Sequence, residues 1–330
     1  MAALGDAFFV QTFTTTLQRY EKTLVDNVLL SHPTLELFKA NAKSITGRGL
    51  VIPLRASTLG ATGYTDASGT HSTAASTDIM GSAVYEWASE IVTPFRLKHR
   101  DILQNSGPEQ IVSLVEEYVK AAQADHQDFI VSEIHKSAQD YTTGSINSLD
   151  MLVSDATYDA YTDGNNSAWV PVGGINPNTS GKGYWQSTRL EIDTDTDIVA
   201  AFRTVTNEVY RASRKRPTHI ICGFDVFEEF EAFLQTKGQY TNPQGTANTR
   251  FTEIQFGDLT LRLDPDCQDN RAYFLNSPSL RFAYCAGEFM KSYPAVPLEG
   301  TLDTVVPIAS TLALGVAERR ANGLLIRTAP

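Results

Sequence analysis

Three cysteines and six histidines are the side chains of this sequence best suited to nucleophilic or metal chemistry: Cys222, Cys267, Cys285, His32, His71, His99, His126, His135 and His219. Their spacing argues against most of it. No two histidines stand at i and i+4, so there is no HExxH-type zinc helix. The cysteines are odd in number and far apart, which matches neither a disulfide framework nor a paired thiolate ligand set, and a reducing compartment is the default expectation. Cys222 follows a short apolar run and precedes a helix, where a nucleophile could sit. Its neighbours Ile220, Ile221 and Gly223 supply no base or cation to ionise it, so a buried structural thiol is expected. His126 falls on the apolar face of a long helix and reads as a core or interface histidine. No GxSxG elbow is present.

Two other patterns invite a chemical reading and fail in detail. Asp193, Asp195 and Asp197 have the alternate-residue carboxylates that open a calcium loop, but Ile198 stands where the turn glycine is needed and Thr204 where the bidentate Glu belongs. Helix capping by Asp197 explains the same residues. Residues 60–69 (GATGYTDASG) contain glycines but no GxxxxGK[ST], and they do not lead from a strand into a helix, so a loop tip is expected rather than a phosphate cradle. The cations Arg211, Arg214, Lys215 and Arg216 gather at a helix C-terminus, where the dipole favours them; contact with a polyanion inside an assembly is the sharper, weaker reading. These residues give no catalytic, cofactor-binding or metal site. The expectation is a protein without enzymatic activity, with a soluble hydrolase using Cys222 or His219 as a distant alternative.

The elements around these residues follow from periodicity. Leu17, Tyr20, Leu24 and Val28 mark a helix over residues 14–30, which the His32-Pro33 pair ends because the residue before proline is pushed out of the helical region. Residues 1–48 carry too little apolar surface for a domain and read as an arm packing on something else. From Gly49 the period becomes two. Leu50, Ile52 and Leu54 alternate with Val51, Pro53 and Arg55, and a second run puts Tyr85, Trp87, Ile91, Phe95 and Leu97 on one face, with Glu86, Glu90, Arg96 and Lys98 on the other. Between these runs, residues 57–82 are mostly Ser, Thr, Ala and Gly. A connection of that length in a compact domain is a functional or flexible projection, so residues 49–98 are expected to form a long β-hairpin leaving the body.

Asn105-Ser106-Gly107-Pro108 then reads as a helix start. Apolar residues follow at spacings of three and four from Ile111 to Ile134, with no glycine or proline before Gly144, which predicts a helix of roughly 45 to 50 Å. Residues 144–190 form an irregular connection. Helices are expected from Asp197 and over Val226–Leu234, with a buried strand at His219–Cys222 and strands at 252–264, 271–275 and 280–285. Two more strands are expected over residues 304–327, around Glu318-Arg319-Arg320. Helices and strands interleave without strict βαβ alternation, so the class is α+β.

The 330 residues suffice for about two domains. At 42% apolar and 20% charged the chain is neither disordered nor fibrous. A net charge of −11 repels phosphate as a whole, so base-reading nucleic-acid binding would need a local basic patch. There is no signal-peptide core and no apolar run long enough for a bilayer, so a soluble, cytoplasmic product with no membrane partner is expected.

Three stretches carry a family resemblance: RLKHRDILQNSGPEQIVSLVEEYV entering the long helix, VGGINPNTSGKGYW in the middle, and FGDLTLRLDPDCQDNRAYFLNSPSLRF before the final strands, followed by ERRANGLL. In order and spacing they resemble the major capsid proteins of tailed bacteriophages, whose fold is shared with encapsulins and gene transfer agents. The resemblance implies an N-terminal arm over 1–48, an extended loop over 49–98 lying on a neighbouring subunit, and a peripheral domain over 99–150, completed by 280–330. Its spine helix would span 108–141. An axial domain over 151–279 would include the irregular connection, with loop 238–250 as a candidate tip.

The implied function is self-assembly as hexamers and pentamers into an icosahedral shell around double-stranded DNA. The implied partners are the chain itself, a scaffolding protein, a portal, decoration proteins and, by proximity only, the packaged DNA. The implied location is the virion capsid, assembled in the host cytoplasm. An encapsulin-like or gene-transfer-agent shell is the alternative.

Two departures qualify the resemblance. Some members cross-link through a lysine of the extended loop, and here no lysine lies between Lys43 and Lys98, so a non-covalent shell is expected. No long charged segment precedes residue 14, so a fused scaffolding domain is not expected, and the initiating Met1 speaks against a removed leader. Within the hairpin, Tyr85 and Trp87 are expected to be exposed in a lone subunit and buried only against another.

Overall fold

The computed structural model describes residues 32–55, 80–100, 108–137, 142, 144–153, 172–175, 183–193, 197–236 and 253–328. The helix expected over 14–30, most of the loop 57–82 and the tip 238–250 lie outside the described residues.

The body is organised by a six-stranded sheet made of Thr188–Ile192 (β5), His219–Cys222 (β6), Glu253–Phe256 (β7), Leu259–Leu263 (β8), Arg271–Leu275 (β9) and Gly323–Arg327 (β15). Their order is β5-β15-β9-β6-β8-β7, with β5 and β15 parallel, β6 and β8 parallel, and the other neighbours antiparallel. Successive strand side chains point to opposite faces, and here both faces are covered. Ile220, Cys222, Ala272, Phe274 and Leu325 join one apolar cluster, while Ile221, Tyr273, Leu275, Leu324 and Ile326 join another. Burial on both faces is why RAYFL and GLLIR read as continuous apolar runs.

Two helices cover the first face. Ile198–Ser213 (α4) starts at Asp197, whose Oδ1 accepts from the Val199 amide at 2.9 Å, the cap expected from sequence. Phe202 of α4 stacks on Phe230 of Phe224–Thr236 (α5) at 5.3 Å and meets Phe274 edge-on at 5.2 Å.

The second face belongs to a cluster that gathers distant segments. It takes Leu35, Leu37 and Phe38 from Pro33–Lys39 (α1), Leu50 and Leu54 from Gly49–Arg55 (β2), and Ala83 and Tyr85 from Met80–Glu86 (β3). It also takes Ile130, Val131 and Ile134 from Pro108–His135 (α2), all of Leu149–Val153 (α3) except Asp150, and strand residues of Leu280–Cys285 (β10) and Leu312–Val316 (β14). Ala42–Ile45 (β1) pairs in parallel with β10, which pairs with β14.

A third cluster seats α2 on Ile91–Leu97 (β4) and Thr304–Ser310 (β13) through Val119, Ala122, Phe95, Leu97, Val306 and Ile308. Lys291–Ser292 (β11) and Val296–Pro297 (β12) flank β13. The mixed α+β class is as expected, and α2, at 28 residues, is about 42 Å long.

Pro33 opens a helix of its own as its first residue, where its missing N–H is not needed. Two local expectations are corrected. The run from Tyr85 to Leu97 is two strands, not one: β3 pairs with β2 from Gly49↔Glu86 to Arg55↔Met80, and β4 pairs with β13. The chain turns away at residues 87–90, where the Ala88 amide donates to Leu312 and the Ser89 amide to Gly144. The last segment holds three strands, because Thr311 separates β13 from β14.

Tyr85 is 2% exposed within the single chain, not open to solvent. Its hydroxyl donates to the Val316 carbonyl at 2.9 Å and accepts from the Val316 amide at 3.1 Å. Gly315 makes room for the ring, since a Cβ there would stand 2.7 Å from Tyr85 Cδ2. Gly173, at φ 64°, closes the other side, where a Cβ would lie 2.9 Å from Ala83 Cβ. Tyr85→Phe should therefore lower unfolding free energy by about 1–3 kcal/mol by stranding the Val316 groups, and Gly315→Ala by about as much through overpacking. Urea unfolding of each variant checks both.

Candidate functional site

The hairpin β2–β3 has two unlike faces. Directly paired residues share a face, so Leu50 with Tyr85, Ile52 with Ala83, and Leu54 with Gly81 point into the body. Val51 with Val84, Pro53 with Ser82, and Arg55 with Met80 point out. On this outer face Val51 is 59%, Val84 44% and Met80 83% exposed. The root is fixed by Tyr85, by the Trp87 indole N–H donating to the Gly47 carbonyl at 2.7 Å, and by the Val84 amide donating to Gly173 at 2.9 Å. The described hairpin thus packs one face on the body and leaves Val51, Val84 and Met80 open on the other.

A second apolar surface lies beside α2. Val92 and Phe129, each about half exposed, line an open cleft of about 530 Å³ with Asp125, Glu133 and Lys136. Its charged lining includes the Glu133–Lys136 ion pair at 3.1 Å, and neither histidine nor cysteine contributes. Val296 in β12, with Leu298 and Leu302 in the turn that leads to β13, is also exposed, and this turn ends at the Arg96–Asp303 ion pair.

The residues singled out for chemistry are dispersed. Cys222 and Cys267 are buried, and burial first, then the charge of Asp264, pushes the Cys222 thiol far up, away from the thiolate a nucleophile needs. His219 and Cys222 are an odd number of residues apart on β6 and so face opposite sides of the strand. Of the basic group, Lys215 pairs with Glu318, while Arg216 pairs with Asp258 at 3.2 Å and lies over the Tyr210 ring. Arg214 takes the left-handed cap conformation at φ 58°. Asp195 and His71 lie outside the described residues.

Sequence reading missed the buried polar groups, because each is assembled from remote segments. Arg319, 1% exposed, donates to the carbonyls of Leu152, Trp185 and Met151. Asp150, also buried, pairs with Arg271. Asp264 is reached by the Thr34 hydroxyl, by the Thr34 amide at 3.3 Å and by His135 Nε2 at 3.4 Å. Burial alone would raise its pKa, but the His135 hydrogen bond and charge, with Thr34 and the Asp266 amide, outweigh that and hold the carboxyl well below the usual range.

His126, a core histidine as expected, sits between Thr93 Oγ1 and Ser310 Oγ, each 2.8 Å from a ring nitrogen, and so ties α2 to β4 and β13. Burial lowers its pKa to about 4. Because the folded pKa lies below the unfolded one, this site's contribution is complete above about pH 6.5 and is lost as pH falls from there towards 4, by about 3 kcal/mol. Asp264 acts lower: its contribution holds above the ordinary carboxyl range near 4 and is lost beneath it. Unfolding free energy measured from pH 7.5 to 4 should fall across the histidine window, and His126→Gln should flatten that slope.

No protein-family model matches the sequence, and no curated protein matches it. Solved structures do. The capsid asymmetric unit of cyanophage A-1(L) superposes with a TM-score of 0.65 over 89% of this chain and 92% of its own, at 14% identity. A virus-like particle from Pyrococcus furiosus gives 0.50 over 94% and 98%, at 10% identity. The capsid of a native GTA particle gives 0.52 over 88% of both chains, at 10% identity.

Proposed function

From the tailed-phage capsid fold that this chain carries, we propose that it is a structural shell subunit, without enzymatic activity, that assembles as hexamers and pentamers into an icosahedral shell around the double-stranded DNA of a tailed phage. The observation that carries the reading is the hairpin, clamped at its root within one chain while Val51, Val84 and Met80 stand out in an apolar ladder. Apolar area of this kind is stabilised by burial, and a neighbouring copy is the partner that such a projection fits.

In this reading residues 1–48 are the arm, the hairpin β2–β3 within 49–98 the extended loop with β4 anchored in the body, 99–150 with 280–330 the peripheral domain, and 151–279 the axial domain, whose sheet β15 joins. A scaffolding protein, a portal and decoration proteins would be its partners, and the virion capsid, assembled in the host cytoplasm, its location. The charge of −11 suits a wall that confines DNA without gripping it. The hairpin has no lysine from residue 44 to residue 97, so neighbours would associate without an isopeptide cross-link.

A second reading, a shell that holds other cargo or belongs to a gene transfer agent, has support from the likeness to the Pyrococcus particle and the GTA capsid. Particle contents separate the two, since packaged phage-length DNA with tails and a portal supports the first.

Electron microscopy of the purified protein should show closed icosahedral shells; monodisperse monomers under all assembly conditions would overturn the proposal. Deleting residues 60–78 should leave a folded subunit that does not close shells, as judged by circular dichroism and microscopy together. Particles boiled in SDS should run as a single band near the 36.2 kDa chain mass, and a ladder of covalent multimers would contradict the non-covalent shell.

A further inference from the structure

One polar cluster plays no part in the shell reading. His32, at the start of α1, meets Asp264 and Asp266, in the turn after β8, with donor atoms all within 4.8 Å of one another. His32 Nδ1 lies 3.2 Å from Asp266 Oδ2, and His32 Nε2 lies 3.9 Å from Asp128 on α2. Three carboxylates therefore surround one imidazole, and among the described residues no lysine or arginine forms an ion pair with any of them. Concentrated carboxylates, one of them fully buried, are costly unless a cation offsets them.

The buried member is also held in place. Asp264 Oδ2 accepts from Thr34 and faces His135, while Oδ1 accepts, among the described residues, the Asp266 amide alone, at 3.1 Å, which leaves it a lone pair. Ligating carboxylates are typically oriented by such neighbours. The His135 side chain is itself 2% exposed, and its Nδ1 is buried without a hydrogen-bond partner. Of the three carboxylates His135 faces Asp264 alone, which leaves Asp266 and Asp128 gathered about the single imidazole of His32.

We propose that His32, Asp264 and Asp266 bind a divalent cation of the zinc class, which staples the start of α1 to the β8–β9 turn beside the end of α2. One imidazole nitrogen with two carboxylate oxygens is a donor set that suits zinc and its neighbours. Calcium and magnesium prefer all-oxygen shells of six or more ligands. The sequence expectation of no metal site rested on short spacings, and His32 stands more than 230 positions before the two aspartates. The site does not depend on shell assembly and can be tested on separated subunits.

Full-length protein stripped with a chelator is titrated with Zn²⁺ by calorimetry and with Co²⁺ by visible absorption. One ion per chain is expected, with affinity reduced at least about tenfold in Asp266→Asn and in His32→Gln, and unchanged in His99→Gln. Zn²⁺ should raise the Tm of the unaltered protein and leave that of the two ligand variants in place. Circular dichroism of the metal-free variants checks that they are folded. Absence of stoichiometric binding, equal binding by the ligand variants, or tighter binding of Ca²⁺ than of Zn²⁺ would each overturn the proposal.

Discussion

The seat of Tyr85 is the contact on which the arrangement turns. A phenol on β3 exchanges two hydrogen bonds with the backbone of Val316, 231 positions later. Burial pushes its pKa up to about 12, so it remains a neutral donor and acceptor at any ordinary pH. This contact joins the hairpin root to β14, and β14 is joined through β10 to β1. The early and late segments of the chain close on each other, and their shared cluster covers one face of the six-stranded sheet. With the root fixed, the outer face of the described hairpin strands remains open.

Much of this was legible where one face of an element meets solvent. The alternation in GLVIPLR marked the first strand of the hairpin and spacings of three and four marked α2 and α4, whereas the start of β3 at Met80–Ser82 was read as part of the Ser/Thr/Ala/Gly loop. Asp197 was readable as a cap because capping is local. The break between β3 and β4 was not, because the alternation of Tyr85, Trp87 and Ile91 runs on across residues 87–90. Hydrogen bonds to Leu312 and Gly144, both distant, decide the turn there. Tyr85 was misjudged for the same reason: its partner is a backbone group that no pattern around residue 85 reveals.

Buried polar groups show the limit more sharply. Arg319 within ERRANGLL looks like a surface cation, yet three carbonyls from α3 and the Gly183–Trp185 turn enclose it. Asp264 in RLDPD looks like a turn residue, and its environment is made by Thr34 and His135. These groups tie remote segments together inside the body, whereas most of the exposed apolar residues lie on the hairpin, beside α2 and in β12 and the turn after it. Polar ties within and open apolar surface without are what the proposed shell role asks of one copy.

Three of the four methionines offer a direct probe of that division, since Met80 is 83% exposed on the outer ladder while Met151 and Met290 are each 2% exposed. Hydroxyl-radical footprinting of separated subunits and of assembled particles reads all three by mass spectrometry. Met80 should be oxidised readily in the subunit and protected in the particle, with Met151 and Met290 protected in both. Equal oxidation of Met80 in the two states would show that no neighbour covers the hairpin, and would contradict the role assigned to it.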